Sequence, residues 1–465
     1  MLLNKSLFST FNKNIREKGS FLNSIAITTS GAGISVVLSY LMMPIVSRLY
    51  TTADYGVFAL FFALSNSGKI VSGLNYPSSL VIPKSHKTFL SLVKLCFALT
   101  ITFTIFNYLL IILGGERLRN LFGIKSLGKF VYLVPLAIAL LNTTDVFVNL
   151  NIRFKSFKNN ALGTIGSKGG NQFLSILYGL FLGSNPLGLI LGQLFGSILY
   201  LYFLIKDGVL KRLSALRAIK YEDIFRSAKE LKNYPIFVFP SNFILRLSSD
   251  VPIYLLTLFY GTKATGSFAF AMLILQAPYS VLGNSITPVF LQRANELYFT
   301  NLKLLQSFVT KMYYRLLYIG IIPFSTLTVF GDKIFSLVFG KQWELAGTFA
   351  SIMSLFYLFR LMSTPMKVIF RVVRKEHIIL YLNATIAISR VLSLLIGIYY
   401  FTLTQTVLLF SAVSLICYYI SFIVIFKTMR IKVFKHTLIS ILLISASLLI
   451  LIGIRHFTIG LYNIL

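Results

Sequence analysis

The sequence predicts an all-α membrane protein that crosses the bilayer many times. Only 12% of its 465 residues are charged, 56% are hydrophobic, and the mean hydropathy is +0.80. Apolar runs recur along nearly the whole chain, and each has the length of about 18 residues or more that crosses a hydrocarbon core. A transmembrane β-barrel is excluded, because its strands would be about ten residues long and would alternate apolar and polar positions.

The lengths of the apolar runs predict about thirteen spans. The spans cover roughly 22–46, 55–82, 88–113, 127–149, 160–183, 186–206, 233–258, 264–290, 309–330, 343–365, 378–400, 404–426 and 437–457. Before them, Leu3, Leu7, Phe8 and Phe11 recur at helical spacing among basic residues. This pattern predicts an amphipathic helix on the membrane surface within residues 1–20.

The net charge of +31 does not indicate a nucleic-acid-binding protein, because most basic residues lie in short loops between spans. With a cytoplasmic N-terminus, the inward segments carry roughly three times as many Lys and Arg residues as the outward ones, as the positive-inside rule requires. Residues 207–232 form a basic inward linker, in which Leu210, Leu213 and Leu216 alternate with cations. We expect this linker to lie along the inner leaflet, where anionic lipid attracts it.

The linker divides the chain into an N-terminal six-helix lobe (1–206) and a C-terminal six-helix lobe (233–426), followed by an extra transmembrane helix within 427–465. Residues 51–60 and 261–270 match at Thr, Gly, Phe and Ala, and both segments lead into the second helix of a lobe. An even number of spans gives both lobes the same orientation. The sequence therefore predicts a parallel pseudo-two-fold repeat around a central cavity.

Ionisable residues inside the apolar runs are the main clue to function. They are Lys69, Lys94, Asp145, Lys168, Arg246, Asp250, Arg315, Arg360 and Arg390. A charge at mid-bilayer costs about 2.5–3.5 kcal/mol even on the lenient insertion scale, so these side chains must face a polar interior. Such an interior carries more cations than acids and therefore favours an anion.

The cations differ in how they can be neutralised. Arg246 and Asp250 are four residues apart and can pair with each other, and Asp145 can neutralise one further cation. Lys94, Arg315 and Arg360 lie near predicted cytoplasmic ends, where they can either snorkel to headgroups or face the interior. Lys69, Lys168 and Arg390 lie deeper and are the first candidates for contact with an anion.

Polar residues at helical spacing accompany these charges. They are Ser65, Ser72, Tyr76, Asn142, Asn171, Asn242, Gln276 and Asn284. Two interpretations stay open: these residues line a cavity, or they form hydrogen bonds between packed helices. Glycines at 163, 166, 169 and 170 surround Lys168 and indicate local unwinding or close helix packing.

The sequence shows no enzymatic signature. It has no Walker motif, nucleotide fingerprint or H-E-x-x-H motif. Cys96 and Cys417 lie in different spans without metal-ligand spacing. We therefore expect a protein that is not an enzyme and that needs no metal or cofactor.

Three stretches carry a family resemblance. The first runs from Pro44 to Tyr50 and continues to Asp54-Tyr55-Gly56. The second runs from Tyr234-Pro235 through Pro240, Pro252 and Gly266 to Ala277-Pro278, and the third is Phe339–Glu344 with Ala346-Gly347. In their order and spacing they resemble the Wzx-type flippases of the polysaccharide-biosynthesis family, which are related to multidrug-and-toxin-extrusion transporters and lipid II flippases.

The resemblance implies translocation of an undecaprenyl-diphosphate-linked oligosaccharide, an O-antigen (lipopolysaccharide) or capsule repeat unit, across the bacterial inner membrane by alternating access. It makes a polysaccharide polymerase and a chain-length protein possible partners. Lys69, Lys168 and Arg390, with Arg246 and Arg360, would contact the diphosphate. The family's usual Arg-Tyr-Glu is replaced by Asn75-Tyr76-Pro77, so Asp145 or Asp250 would have to serve any ion coupling.

Two other functions remain open on the sequence. A drug/cation antiporter of the same fold predicts an acidic interior. A membrane-embedded polysaccharide polymerase or glycosyltransferase predicts a long outward loop with catalytic residues, whereas the longest predicted outward loop has about sixteen residues.

Overall fold

The computed structural model of the chain describes the backbone of residues 21–121, 124–206 and 208–462. The predicted surface helix within residues 1–20 lies outside this range. The described residues form long helices connected by short turns, and no strand occurs among them. The helices are α1 (Phe21–Leu49), α2 (Thr52–Gly73), α3 (His86–Leu121), α4 (Val134–Arg153), α5 (Phe157–Leu182), α6 (Pro186–Leu204), α7 (Tyr221–Glu230), α8 (Phe239–Thr300), α9 (Leu302–Phe339), α10 (Glu344–Ser363), α11 (Glu376–Tyr400), α12 (Leu403–Thr428) and α13 (Val433–Tyr462).

Nine segments of the described chain are long and apolar enough to cross a membrane. They are His86–Gly115, Lys125–Arg153, Pro186–Leu204, Tyr234–Tyr279, Leu302–Phe339, Lys341–Val372, Glu376–Tyr400, Leu403–Thr428 and Val433–Phe457. The protein is therefore a multi-pass α-helical membrane protein, as the composition predicts. Helices α2 and α5, which carry Lys69 and Lys168, are not among the nine, and both contain many polar residues and glycines.

Local signals in the sequence explain where several helices begin and break. The Asn185 side chain accepts a hydrogen bond from Leu187 N at the start of α6, and Pro186 occupies the first turn, where a missing N–H costs nothing. A capping box between Thr402 and Gln405 begins α12. Gly261 has a φ of 80° and interrupts α8, a conformation that glycine adopts without a steric penalty.

The second predicted span extends too far. Helix α2 ends at Gly73, because Leu74 and Asn75 adopt left-handed backbone conformations with φ of 44° and 58°. A single helical turn, Tyr76–Ser79, follows with Pro77 in its first turn. Tyr76 therefore lies outside the helix that carries Ser65, Lys69 and Ser72, whereas the predicted span 55–82 places all four in one helix.

The chain divides into two compact units. Unit 1 contains the chain up to Tyr50 together with Val57–Leu247, and unit 2 contains Thr51–Gly56 together with Ser248–Leu465. In unit 1, α5 packs against α1 and α6, and α4 packs against α3 and α6. In unit 2, α9 packs against α10 and α13, and α12 packs against α10 and α11.

The predicted linker is folded onto unit 1. Val209, Leu213 and Ile219 are buried in an apolar cluster with residues that include Phe89 and Leu204, whereas Leu210 is exposed. Polar contacts hold the same region: the Lys94 ammonium donates to Ile219 O at 2.6 Å, and the Tyr76 hydroxyl donates to Ala228 O at 3.1 Å.

An ion pair fixes the beginning of α7. The Lys87 ammonium lies 2.7 Å from the Asp223 carboxylate. This hydrogen bond lowers the pKa of Asp223 below its ordinary value of 3.8. The pKa of Asp223 is lower in the folded protein than in the unfolded chain. The pair therefore stabilises the fold above the ordinary carboxyl pKa, and this stabilisation is lost as the pH falls below it.

Reciprocal glycine contacts connect the two repeated segments within unit 2. A Cβ placed at Gly56 would collide with Thr262 O, and a Cβ placed at Gly266 would collide with Thr52 O. Thr52 and Gly56 match Thr262 and Gly266 in the repeat, so each glycine permits the same close backbone approach. The Tyr55 and Phe270 rings, from the same two segments, pack against buried Trp343, with centroid separations of 4.9 and 3.9 Å.

We expect Gly266→Ala to destabilise the protein, because its Cβ meets backbone that cannot rotate away. Overpacking of this kind costs about 1–3 kcal/mol. Thermal unfolding in detergent should show a lower midpoint for Gly266→Ala, whereas Gly33→Ala should not, since no atom outside its own helix lies within 4 Å of a Cβ there. An unchanged midpoint for Gly266→Ala would contradict the close approach.

We expect Asp223→Asn to loosen α7, because the Lys87 ammonium loses its carboxylate. The protection factors of the α7 amides, which correct for the intrinsic exchange rate at each pH, should fall. Lowering the pH below the ordinary carboxyl pKa should also lower them in the wild type. Glu222→Gln is the matched control, because Glu222 is exposed and has no ion pair among the described residues. Equal protection of α7 in all three proteins would contradict the role of the pair.

Candidate functional site

The predicted cations occur in both units, with different surroundings. Unit 1 contains Lys69 and Lys168, and unit 2 contains Arg360 and Arg390.

Lys69 is neutralised within unit 1. Its ammonium lies 2.8 Å from the Asp145 carboxylate, and the two side chains are 24% and 44% exposed. The sequence predicts that Asp145 neutralises one cation, and the structure identifies that cation as Lys69. The pair is partly open to solvent, so both groups can be ionised without a full desolvation cost.

Lys168 has no hydrogen bond or ion pair with any residue that the structure describes, and its side chain is exposed. The glycines around it serve close packing, since α5 continues unbroken from Phe157 to Leu182. Cβ atoms at Gly163 and Gly166 would collide with the Tyr200 and Phe203 rings of α6, and one at Gly169 would press on Leu38 of α1. Lys168 thus lies on a helix that is held tightly on two sides.

Unit 2 brings Arg390 into an aromatic cage. The Arg390 Nε donates to Ser414 Oγ at 2.9 Å. The guanidinium carbon lies 5.2 Å from the Phe410 ring centroid and 5.4 Å from those of Phe356 and Tyr418. Cation–π contacts at such distances contribute about 0.5–2 kcal/mol each. They fix the guanidinium, which also interacts with the Tyr418 hydroxyl and keeps further N–H donors.

Arg360 and a further cation face the same tyrosine. The guanidinium of Arg360 lies 4.9 Å from the Tyr279 centroid and 5.4 Å from that of Tyr357. The Lys367 ammonium lies 5.6 Å from the Tyr418 centroid and donates to Asn383 Oδ1 at 3.4 Å. Arg360, Lys367 and Arg390 all interact electrostatically with the Tyr418 phenol.

Lys367 is not among the charges that the sequence places inside the predicted spans. It lies two residues beyond the predicted span 343–365, where the sequence predicts a loop. In the structure it belongs to a short 3₁₀ turn, Pro365–Val368, and its side chain is only 7% exposed. Its flanking sequence does indicate burial. Apolar residues precede Lys367 (Pro365-Met366) and follow it (Val368-Ile369-Phe370).

No described carboxylate pairs with Arg360, Lys367 or Arg390. The acids nearest in sequence, Glu344 and Glu376, lie 16 and 14 residues from the two arginines, which along a helix is about 20 Å or more. Unit 2 therefore holds three cations around one tyrosine without a neutralising acid.

A family model described as polysaccharide biosynthesis protein matches residues 45–347. The chain belongs to this family. The family predicted from the sequence motifs is thereby confirmed. No protein of curated function matches the sequence.

Solved transporter structures share the fold. The inward closed conformation of the lipid II flippase MurJ is 15% identical, with a TM-score of 0.64 over 93% of this chain and 99% of that chain. An inward-facing multidrug resistance MATE family transporter of the MOP superfamily is 14% identical, with a TM-score of 0.66 over 87% and 98%.

A MOP superfamily transporter from Pyrococcus furiosus, described as having a binding pocket of reverse polarity, is 14% identical, with a TM-score of 0.59 over 89% and 96%. These likenesses show that this member of the polysaccharide biosynthesis protein family has the MOP-superfamily fold.

Most of the predicted polar residues have local hydrogen-bond partners in unit 1. Asn142 donates to Thr100 Oγ1, and Asn171 donates to Gln193 Oε1 at 2.8 Å. Ser72 bonds to Lys69 O and Asn242 to Asn75 Oδ1. Hydrogen bonding between packed helices accounts for the Asn142 and Asn171 contacts, and the Ser72 contact lies within its own helix. The buried Ser65 Oγ has no partner among the described residues.

The remaining candidates stay predictions. Asp250 is buried and Arg246 is half-buried, both in α8, and their pairing with each other is still an expectation. Gln276 is half-buried beside Tyr357. The side chain of Asn284 lies outside the described residues.

We expect a charge swap to test the Lys69–Asp145 pair. Lys69→Asp and Asp145→Lys each place two like charges at the 2.8 Å contact and should lower the thermal midpoint in detergent. The double variant recreates the opposite pair and should recover most of the loss, with a coupling of about 0.2–1 kcal/mol for a partly exposed pair. Strictly additive losses would show that the two charges do not interact.

Proposed function

We propose that this protein flips an undecaprenyl-diphosphate-linked oligosaccharide, an O-antigen or capsule repeat unit, from the inner to the outer leaflet of the bacterial inner membrane. Membership of the polysaccharide biosynthesis protein family supports the pathway, and the shared fold with a lipid II flippase supports the type of activity. The observation that carries the proposal is the set of cations without an acidic partner: Lys168 in unit 1 and Arg360 and Arg390 in unit 2.

The charges fit the head of such a substrate. A diphosphate has several acceptor oxygens, which guanidinium groups engage by paired hydrogen bonds and an ammonium engages as a point charge. In this proposal Lys168 in unit 1 and Arg360 and Arg390 in unit 2 are each, within their own unit, candidates for contact with the diphosphate. Arg246 supports them, and the lipid tail stays in the bilayer. A polysaccharide polymerase and a chain-length protein would act on the exported units.

Ion coupling would act through the carboxylates. Lys69 is bound to Asp145 at 2.8 Å, so it can reach a diphosphate only after that contact opens. Protonation of Asp145 would release Lys69 toward the anion, and this would link proton uptake to substrate binding. Asp250 is the second candidate, because it is a buried carboxylate within a helix of the membrane domain.

A drug/cation antiporter shares the fold but requires different charges. Its substrate would approach three cations in unit 2 with no described acid beside them, and like charges repel strongly where the dielectric constant is low. A polymerase or glycosyltransferase would need catalytic acids in an outward loop, and the sequence offers none of sufficient length. The charges therefore favour transport of an anionic lipid-linked sugar.

We expect Arg360→Gln and Arg390→Gln to abolish surface polysaccharide in a strain that depends on this gene. Loss of one charge-assisted contact costs about 1.5–3 kcal/mol, which is at least about tenfold in substrate affinity. Arg293→Gln is the control, because Arg293 is exposed and already pairs with Glu296 at 2.7 Å. Wild-type polysaccharide from well-expressed Arg360→Gln and Arg390→Gln proteins would refute this assignment.

A further inference from the structure

Three separate segments of unit 2 direct cations toward Tyr418 of α12. Arg360 comes from the last turn of α10, Lys367 from the turn after it, and Arg390 from the middle of α11. We call Arg360, Lys367 and Arg390 the cation triad. Packing of α12 on both α10 and α11 brings the three together, although 30 residues of sequence separate the first from the last.

Lys367 is the unusual member of the cation triad. Its side chain is 7% exposed, and its hydrogen-bond partner is the neutral amide oxygen of Asn383 at a long 3.4 Å. A buried ammonium normally pairs with a carboxylate, because desolvation of an uncompensated charge is expensive. Here two further cations stand nearby, so the arrangement is unfavourable until an anion joins it.

Further hydrogen-bond donors lie beside the cation triad. Arg390 donates through Nε to Ser414 Oγ and also interacts with the Tyr418 hydroxyl. A guanidinium has five N–H donors, so further donors remain for a ligand. The Tyr357 hydroxyl is buried, and although Gln276 and Arg360 lie beside it, no described group forms a well-aligned hydrogen bond with it. Buried polar groups are rarely left unsatisfied, so each such group calls for a partner.

Several donors and three positive charges suit a ligand with many acceptor oxygens and more than one negative charge. A carboxylate carries a single charge and two oxygens, whereas a diphosphate carries at least two charges and more oxygens. We propose that the cation triad, with the Tyr357 hydroxyl, is a phosphate-binding site contained in unit 2, and that Lys367 is its central charge.

This site rests on the proposed function in one respect: in the cell, its ligand is the diphosphate of the lipid-linked substrate. Anionic phospholipid headgroups and free phosphate share the same chemistry.

The site adds Lys367 to the residues proposed to contact the substrate. All of its residues belong to unit 2.

Inorganic pyrophosphate provides a direct probe for the full chain purified in a neutral detergent. We expect pyrophosphate to raise the thermal unfolding midpoint and to bind measurably by calorimetry, and orthophosphate to bind more weakly. Lys367→Gln should weaken pyrophosphate binding at least tenfold, and Lys367→Arg should retain most of it. Lys303→Gln, which removes an exposed cation of unit 2, should leave binding unchanged.

Asn383→Asp tests the site without removing a cation. The new carboxylate would lie where Oδ1 now accepts from Lys367 at 3.4 Å, so it should neutralise the ammonium in a nearly isosteric way. We expect a higher midpoint without ligand and at least tenfold weaker pyrophosphate binding. This variant also keeps the test decisive if Lys367→Gln fails to fold.

The source of the phosphate follows from the surrounding lipid. In nanodiscs of neutral phosphatidylcholine, pyrophosphate affinity should match that in detergent. Phosphatidylglycerol is then added. If it lowers the pyrophosphate affinity of the wild type but not the weaker pyrophosphate affinity of Lys367→Gln, phospholipid headgroups bind at the same site. If it has no effect, the site selects diphosphates over lipid headgroups.

The two proposals fail in different ways. Pyrophosphate binding that is equal in wild type, Lys367→Gln and Asn383→Asp overturns the phosphate site, whatever the transport assay shows. Pyrophosphate binding that depends on Lys367, in a protein that does not restore surface polysaccharide to the dependent strain, leaves the site in place and removes the proposed function.

Discussion

The cost of holding a charge in an apolar environment governs this protein. An ionised side chain that leaves water must find an opposite charge, a set of hydrogen bonds or an aromatic face, because the low dielectric constant magnifies whatever is left unpaired. With +31 net charge and 13 acidic residues, the chain cannot provide a carboxylate for every cation inside it. Lys69 is paired with a carboxylate, whereas Arg360, Lys367 and Arg390 lie against aromatic rings and neutral acceptors.

The two units satisfy this constraint differently. In unit 1, Lys69 finds Asp145, and most nearby polar side chains bond to neighbouring helices. In unit 2, the cation triad rests on tyrosine and phenylalanine rings and on single neutral acceptors. Aromatic faces lower the desolvation cost of the cations without cancelling their positive charge. The cations of unit 2 therefore still attract anions, whereas the charge of Lys69 in unit 1 is neutralised by Asp145.

Features encoded in short stretches of sequence were predictable. The helices follow from apolar run length, and their starts follow from Asn185-Pro186 and from the Thr402/Gln405 capping box. The matching glycines at 56 and 266 indicated a repeat, and the structure adds the reason, which is that each allows a backbone carbonyl to approach. The end of α2 was missed because two left-handed residues that are not glycine give no clear sequence signal.

What depends on distant partners was not predictable. Polar stripes looked alike in sequence, yet Asn171 meets Gln193 of the next helix, whereas Lys168 on the same helix meets no described partner. Lys367 resembled a loop cation, because one-dimensional hydropathy measures neighbours along the chain and not those that packing supplies.

The sequence by itself determined that the chain spans a membrane, roughly where its helices run, which family it resembles and that its interior cations exceed its acids. Those properties depend on composition and on spacing within a few helical turns. Only the tertiary structure decided that Lys69 is paired and that Arg360, Lys367 and Arg390 face one tyrosine. Hydrogen bonds and cation–π contacts need separations of a few ångströms, and only packing brings residues separated by tens of positions within that distance.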